Sequence, residues 1–549
     1  MVNSFFKKSK KILLSQQQST LSAAAIIIIM SVASYILGFV RQRIILSYFT
    51  PQQTSLFFAS FRLSDLIFEI LIFGTYTSAL IPILTKTLKA DGEKKAWEVS
   101  SRFLTITIVI FALFATIVGL FSNSFYKIIT PGFSDLDIQK VANLSRILLI
   151  SQVIFVASYI LSGTLEASKR FLIPALAPVF YNLGIVIGIL FLSERFDLTG
   201  AAIAVVIGAT LHFMIQLPLA LKLGFRPSLS LKLTQEVKSI TKLALPRIVD
   251  LSFDQIQQTI ELFLASLIST ASYTYFTLGT TIRLLPVSLF GSSLAKAAFS
   301  TLSEQKDEPQ KFARTFLATA YQILFCVIPI ATLFIVLRIP VSRLFFGTKN
   351  FDWQATVETG FVIAAFAVAI VVQSLGLLLE RAFYALHDTQ TPVSISLITT
   401  SIIIVSEFIL VQNLHLPVWS LAASASVGIS FQITILIFLL QKRTIKLVSF
   451  KNFIPIFKII LSSFLAGLVM YLLMKILDVA IFDTQYTINL LILTLIVALS
   501  GLITYIGICF ILKLDEVTLI IKLVKNQIKL AKPKPGVEPL TPPASENLS

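Results

Sequence analysis

The sequence has few of the residues from which soluble enzymes build their sites. Only 13% of its 549 residues are charged, and it contains 3 histidines and 2 cysteines. Cys326 and Cys509 lie far apart inside apolar runs, so they indicate neither a disulfide framework nor a metal site. The sequence has no GxxxxGK[ST] loop, which excludes ATP hydrolysis within this chain as the driving force of a transport cycle. No nucleophile, base and orienting group stand out together, so we expect no enzyme.

The sequence is rich instead in apolar residues and in positive charge. Hydrophobic residues make up 56% of it and the mean hydropathy is +0.87, which is far too apolar for a soluble protein of this size. Lysine and arginine number 45 against 28 acidic residues, which gives a net charge of +17. The basic residues recur in short loops between apolar runs, a pattern typical of membrane orientation signals and not of a nucleic-acid-binding patch. The sequence therefore predicts an all-α integral membrane protein.

About 20 apolar residues cross a bilayer as a helix, and the sequence predicts about fourteen such spans. They lie at about 22–48, 54–85, 98–125, 140–166, 172–193, 199–221, 240–268, 272–302, 313–338, 355–386, 391–411, 416–440, 453–478 and 487–511. Loops rich in lysine and arginine alternate with loops that have few, so the positive-inside rule places both termini in the cytoplasm. The basic start resembles a secretory signal, but its apolar run continues through Ile45, so we expect it to remain as the first transmembrane helix.

Two similar segments indicate an internal repeat. The segment 165–174 (LEASKRFLIP) and the segment 383–392 (FYALHDTQTP) are 218 residues apart, and each ends one span and begins the next at proline. The surroundings of Gly74 and Gly291 form a second pair with nearly the same offset. Repeated helical halves are typical of secondary transporters, with the binding site between them. We therefore predict two parallel six-helix lobes around a central cavity, followed by two further helices.

The predicted organisation has seven parts. They are a basic cytoplasmic N-terminus at 1–21, an N-terminal lobe at 22–221, a cytoplasmic linker at 222–242, a C-terminal lobe at 243–440, two additional transmembrane helices at 453–511, an amphipathic surface helix at 513–530 and a disordered tail at 531–549. The surface helix follows from leucine and isoleucine alternating with lysine, and the disorder from a proline-rich polar composition.

The predicted span 240–268 has a polar face in its stretch 245–268. Arg247, Asp250, Asp254, Gln257 and Glu261 follow one another at steps of three and four, so they share one side of a helix. An ionisable side chain at the bilayer centre costs about 2.5–3.5 kcal/mol, so this face is expected to line a polar cavity. The alternative is that Arg247 reaches the membrane surface and pairs with Asp250.

Several motifs together resemble the MurJ/MviN family of lipid II flippases. They are Ile36–Arg41, Phe57–Leu63, Gly74–Pro82, Leu165–Ala167 with Phe171–Pro178 and Tyr181-Asn182, Leu285-Pro286 with Leu289–Gly291, and Arg381–Pro392, of which the last is the most specific. The resemblance implies the fold of the group that includes multidrug exporters and polysaccharide flippases. It also implies transfer of a lipid-linked peptidoglycan precursor across the bacterial cytoplasmic membrane, with cavity arginines on the diphosphate and a groove for the lipid tail between the last two helices.

The resemblance is incomplete among the polar residues of the family. Positions that are charged in the family are occupied here by Tyr35, Ser55, Phe68, Phe73 and Thr281. Arg41 and Arg62 are retained, and Arg283 lies two residues beyond the position of a family arginine. The chain is therefore expected to be a divergent member.

The residues expected to bind the diphosphate are Arg41, Arg62 and Arg283, because arginine makes two parallel hydrogen bonds to phosphate oxygens. The alternative for Arg41, and for Arg43, is that they extend to the outer membrane surface. The candidate binders of a coupling cation, Na⁺ or H⁺, are Asp65, Glu69, Asp250, Asp254 and Glu261, with Ser406 and Glu407 at a similar depth. Arg62, Asp65 and Glu69 share one helix face, so mutual neutralisation is the alternative for them.

The expected partners are a lipid-diphosphate glycan and membrane lipids, with no nucleic acid, no cofactor besides the cation, and a functional monomer. An enzyme that uses the same lipid-linked substrate is the competing class, but the longest outer loop, near 339–354, is short and has one acid, Asp352. Within transport, the alternatives are an O-antigen-type flippase and a cation-coupled multidrug exporter.

Overall fold

The computed structural model describes residues 20–73, 79–444 and 449–517, without the side chains of 20–25, 73 and 244–251. Helices account for nearly all of these residues, and no strand occurs among them. The first helices are α1 (Thr20–Tyr48), α2 (Pro51–Ser60), α3 (Arg62–Phe68), α4 (Ile81–Ile129), α5 (Asp135–Ala167), α6 (Leu172–Met214), α7 (Leu217–Lys222) and α8 (Gln235–Ile268). They are followed by α9 (Ser272–Pro286), α10 (Ser293–Glu304), α11 (Pro309–Val336), α12 (Arg338–Phe346), α13 (Trp353–Ala385), α14 (Gln390–Phe408), α15 (Trp419–Arg443), α16 (Phe450–Ala480) and α17 (Thr487–Ile511).

Eleven helical stretches of the described chain are long and apolar enough to cross a membrane. The predicted class of all-α membrane protein is confirmed, whereas the number of fourteen spans stays a prediction. Helix α8 is not among the eleven, although its 34 residues exceed the length that a crossing needs. Its polar face accounts for this, because charged and amide side chains lower its hydropathy.

Two of the predicted loops are helical in the structure. Residues 86–97 belong to α4, and the loop expected near 196 belongs to α6. In each helix one residue makes the bend: Gly92 has φ 82° and ψ 177°, and Asp197 has φ 51°. The conformation of Gly92 is open to glycine alone, because at these angles a Cβ would clash with the residue's own backbone, although the space around it is empty. A single residue thus makes a turn for which the sequence predicted a loop.

The helices up to α7 share apolar clusters built around Trp97, Phe111 and Tyr126. Helices α8 to α15 share others, built around Phe346 and Phe366 on one side and around Phe312 and Phe383 on the other. Contacts of α2 with α9 and of α4 with α8 join the two groups. This packing favours two helical units, which we call the first and second unit, while the predicted domain bounds and the parallel repeat stay predictions.

Helices α16 and α17 pack against each other and against α11 of the second unit. The hydroxyl of Tyr505 donates a hydrogen bond to the carbonyl oxygen of Phe325 at 2.8 Å. The segment 1–19, most of the predicted surface helix, the tail, and the part of the repeat at 74–78 lie outside the described residues.

Candidate functional site

A cavity of about 390 Å³ lies among α1, α2, α3, α5 and α6 of the first unit and reaches α8 and α9 of the second. Arg41, Arg62 and Asp65 line it together with Gln152 and aromatic side chains. The structure thus brings two of the three predicted diphosphate-binding arginines to one space. They come from different helices, so their proximity is a product of the tertiary fold.

Arg62 is buried and is held by two amides of α8. Its Nη1 donates to Oε1 of Gln258 at 2.8 Å, and its Nη2 donates to Oε1 of Gln255. The Nε of Arg62 has no hydrogen-bond partner among the described residues. Asp65 accepts a hydrogen bond from Nε2 of Gln152 at 2.7 Å, so glutamines hold both of these charged side chains.

Arg41 faces the cavity, with its guanidinium carbon 5.8 Å from the ring centroid of Tyr181. The next residue, Gln42, donates from Nε2 to the hydroxyl of Thr281 at 3.1 Å and links α1 to α9. Arg43 points elsewhere and donates to the carbonyl oxygen of Leu344. In this structure the alternative of a surface position therefore fits Arg43 and not Arg41.

A second cavity of about 530 Å³ lies in the second unit. Asp254, Gln257 and Glu261 line it from α8, opposite Arg283 from α9. Gln257 donates to Oε1 of Glu261 at 3.1 Å, and the guanidinium carbon of Arg283 lies 4.4 Å from the ring centroid of Phe366. The polar face predicted for 245–268 thus borders a cavity, although the side chains of Arg247 and Asp250 lie outside the described residues.

The two cavities are neighbours, because Gln258, Tyr273 and Thr277 line both. The first cavity contains two arginines and one carboxylate. The second contains one arginine and the carboxylates of Asp254, Glu261 and Glu380. Together they form a polar space between the two units, positive on one side and acidic on the other.

The sequence matches the family described as "Lipid II flippase MurJ" over residues 48–497. The chain belongs to this family. A probable lipid II flippase MurJ of Buchnera aphidicola subsp. Acyrthosiphon pisum (strain APS) is 26% identical over 466 residues, which cover 82% of this chain and 89% of the relative. One of Aquifex aeolicus (strain VF5) is 24% identical over 443 residues, with 79% and 86% covered.

A solved structure titled "Lipid II flippase MurJ, inward closed conformation" superposes with a TM-score of 0.72 at 22% identity, covering 88% of this chain and 98% of that one. An inward-facing multidrug resistance transporter of the MATE family gives 0.61 at 15% identity, with 75% and 94% covered. At these identities the likeness shows the fold alone. The predicted family and the all-α membrane fold are confirmed.

The most specific motif of the family, Arg381–Pro392, forms the turn between α13 and α14. Asp388 accepts the amide of Thr391 at 3.0 Å and forms an ion pair of 2.6 Å with Arg443 of α15. Burial tends to raise the pKa of Asp388, but the hydrogen bonds from Thr391 and the charge of Arg443 outweigh it and leave that pKa below its usual range. The motif thus fixes a helix connection, and it lies apart from the cavity.

Glu407 on α14 is fully buried, and neither of its carboxylate oxygens has a hydrogen-bond partner among the described residues. It lies within electrostatic reach of Glu261. Ser406 faces another direction, since its hydroxyl is shared with that of Ser424. The sequence placed Ser406 and Glu407 together as possible members of one site, but only Glu407 turns toward α8.

Some site residues differ from the sequence prediction. Glu69 lines neither cavity, whereas Gln373, Glu380 and Gln432 line the second one. Gln373 and Glu380 are seven residues apart in an apolar span, a polar spacing that could have predicted them. The described residues contain no group of three or more His, Cys, Asp or Glu placed to hold a metal ion.

Proposed function

We propose that this chain is a flippase that moves lipid II, the polyprenyl-diphosphate-linked precursor of peptidoglycan, from the inner to the outer leaflet of the bacterial cytoplasmic membrane. The observation that carries the proposal is the shared cavity of Arg41 and Arg62 between the two units, in a chain of the lipid II flippase family. Both termini are in the cytoplasm, and the monomer is the functional unit.

Arg41 and Arg62 bind the diphosphate. A guanidinium is planar and always charged, and it makes paired hydrogen bonds to phosphate oxygens. Gln255 and Gln258 hold Arg62 in place while no phosphate is bound, so the buried charge is solvated by amide oxygens in the meantime. Arg283 contributes from the second cavity.

During the transport cycle the two cavities become one continuous space. Each has a volume typical of a small-ligand site, about 300–1,000 Å³, so a diphosphate with one or two sugars fits either, while the whole head group needs both. The shared wall of Gln258, Tyr273 and Thr277 must therefore separate as the units rock. Alternating access by rocking of two helical units is typical of secondary transporters.

A cation, Na⁺ or H⁺, returns the empty carrier. Outward movement of an anion is favoured by an inside-negative potential, by about 2.3 kcal/mol per charge per 100 mV. Asp254 and Glu261 line the second cavity, and Glu407 is buried behind it, so carboxylates surround one region of this unit. Like charges in such a region repel unless a cation or proton neutralises them.

Family membership favours this function over an O-antigen-type flippase, a multidrug exporter or a membrane enzyme that uses the same substrate. Two arginines in one cavity also suit a diphosphate better than a cationic drug.

Restoration of growth in a strain depleted of its own lipid II flippase tests the proposal. The wild-type chain should restore growth. Arg41→Ala should abolish it and Arg41→Lys should largely do so, because lysine lacks the paired donors. Arg195→Ala removes an arginine that lines neither cavity and is the matched control. Failure of the wild type at normal membrane abundance, or full activity of Arg41→Ala, would contradict the proposal.

A further inference from the structure

A second pocket with positive charge lies outside the central cavity, where the ends of four helices meet. Its volume is about 460 Å³, and it is bordered by the last turns of α1 and α12 and the first turns of α13 and α17. Arg43 comes from α1, Arg343 from α12, and Lys349 from the turn that follows α12. None of these three residues lines the cavity assigned to the substrate.

The pocket has more positive than negative charge. Arg43 donates to the carbonyl oxygen of Leu344, which holds its guanidinium against α12. Arg343 and Lys349 have no hydrogen-bond or ion-pair partner within the part of the chain that the structure describes. Asp352 is the one acid in the lining, and its Oδ1 accepts the amide of Ala355 at 2.8 Å to cap α13. Two cationic side chains thus face the pocket unpaired.

These cations lie on the side of the membrane where few are expected. With the proposed orientation, the pocket is at the outer surface, and outer loops are poor in lysine and arginine. Three basic residues that meet there depart from the rule, which points to a bound anion. Trp353 lines the same pocket and is 61% exposed. Tryptophan is favoured at the level of the lipid head groups, so the anion is expected at that depth.

Helix α1 links this pocket to the substrate cavity. Arg41 lines the cavity and Arg43, two residues on, lines the outer pocket. Phe39 packs against Phe345 with ring centroids 4.9 Å apart, so the same helix is seated on α12. Residues two apart point to opposite sides of a helix, so the cavity and the outer pocket flank α1, and a phosphate group that leaves Arg41 reaches Arg43 around the outer end of this helix.

We propose that this outer pocket binds the diphosphate of the transported lipid after it leaves the central cavity, an inference that rests on the proposed function. Arg43 and Arg343 supply paired donors, Lys349 supplies a point charge, and the hydroxyls of Thr356 and Thr487 line the same space. The lipid tail stays in the bilayer beside Trp353. The pocket delays return of the head group to the cavity.

Fluorescence of Trp353 gives a local test. The chain has 3 tryptophans, so Trp97→Phe/Trp419→Phe leaves Trp353 as the only reporter. The Nε1 of Trp97 has no hydrogen-bond partner among the described residues, so phenylalanine there loses no such bond. The full-length variant in phosphatidylcholine nanodiscs is titrated with farnesyl diphosphate. We expect a saturable change in emission.

The charge variants decide whether the pocket is responsible. Arg343→Gln/Lys349→Gln should raise the half-saturating concentration at least about tenfold, since two charge-assisted contacts are lost. Lys349→Gln alone changes one exposed side chain and should raise it about threefold or more, which covers the case of a double variant that does not fold. Lys127→Gln/Lys140→Gln removes two exposed charges from the same face and is the matched control, with no expected change. An unaltered titration in the Arg343 and Lys349 variants would overturn the inference.

Two further probes distinguish the source of the phosphate. Inorganic diphosphate and vesicles of phosphatidylglycerol should saturate the signal only at higher concentration, and equal potency of either would overturn a site for a lipid-linked diphosphate.

Growth restoration separates this inference from the proposed function. Restored growth without any response of Trp353 removes the inference alone. A normal response in a chain that fails to restore growth removes the proposed function, and with it the claim that the bound diphosphate is the transported one.

Discussion

The guanidinium of Arg62 donates from Nη1 to Oε1 of Gln258 at 2.8 Å, across 196 residues of sequence and between the two units. A hydrogen bond to a charged group contributes about 1.5–3 kcal/mol. This bond, together with that to Gln255, therefore links the units at the wall shared by the two cavities, which must open in transport.

The link to Gln258 predicts a loss of stability when its amide is removed. Gln258→Leu should lower the free energy of unfolding by about 1.5–3 kcal/mol, because a buried charge loses an acceptor. Gln257→Leu removes an amide whose bond to Glu261 stays within one helix, and it should cost less than half as much. Thermal unfolding of the purified variants measures both, and equal losses would contradict the role of Gln258.

Arg62→Lys tests the paired geometry without changing the charge. Lysine has no planar fork, so it cannot hold Gln255 and Gln258 and also present donors to a diphosphate. We expect growth restoration to fall at least about tenfold while membrane abundance stays normal. Wild-type growth with Arg62→Lys would mean that charge alone suffices.

Asp254→Asn tests cation coupling. The variant should fold and insert normally, because asparagine keeps the size and polarity of the side chain, but it should slow the return of the empty carrier. Transport measured over a range of pH and Na⁺ concentration should therefore lose its dependence on the coupling ion. Activity equal to wild type under all these conditions would remove the coupling role of Asp254.

In the turn of Arg381–Pro392, we expect the hydrogen bond of Asp388 to the first turn of α14 to contribute more to stability than the ion pair of Asp388 with Arg443. Asp388→Ala should destabilise by about 1–2 kcal/mol, because it removes the acceptor for the amide of Thr391, and Arg443→Gln by less, because it removes only the ion pair and Arg443 is 47% exposed. The pKa of Asp388 is below its usual range, so its ionised form contributes stability at neutral pH and loses that contribution only below about pH 4. Thermal unfolding at pH 7 compares the two variants, and a larger loss for Arg443→Gln would refute this order.

The sequence predicted the membrane class and the family because hydropathy and local motifs determine them. It also predicted Arg41 and Arg62 as residues of one diphosphate site, from the resemblance to the family and from the chemistry of arginine. It could not predict Gln255 and Gln258 as partners of Arg62, since those contacts depend on how α8 packs against α3. The bends at Gly92 and Asp197 were missed for a different reason, because a single residue with positive φ leaves the helical pattern on either side unbroken.

Measurement of lipid II in the outer leaflet tests the central claim most directly. Cells depleted of their own flippase are supplied with this chain, and outer-leaflet lipid II is quantified by cleavage with an enzyme that does not cross the membrane. The wild-type chain should restore cleavage, and Arg41→Ala at equal membrane abundance should not. Cleavage that stays at the depleted level with the wild type, or that is equal for Arg41→Ala and wild type, would contradict the account.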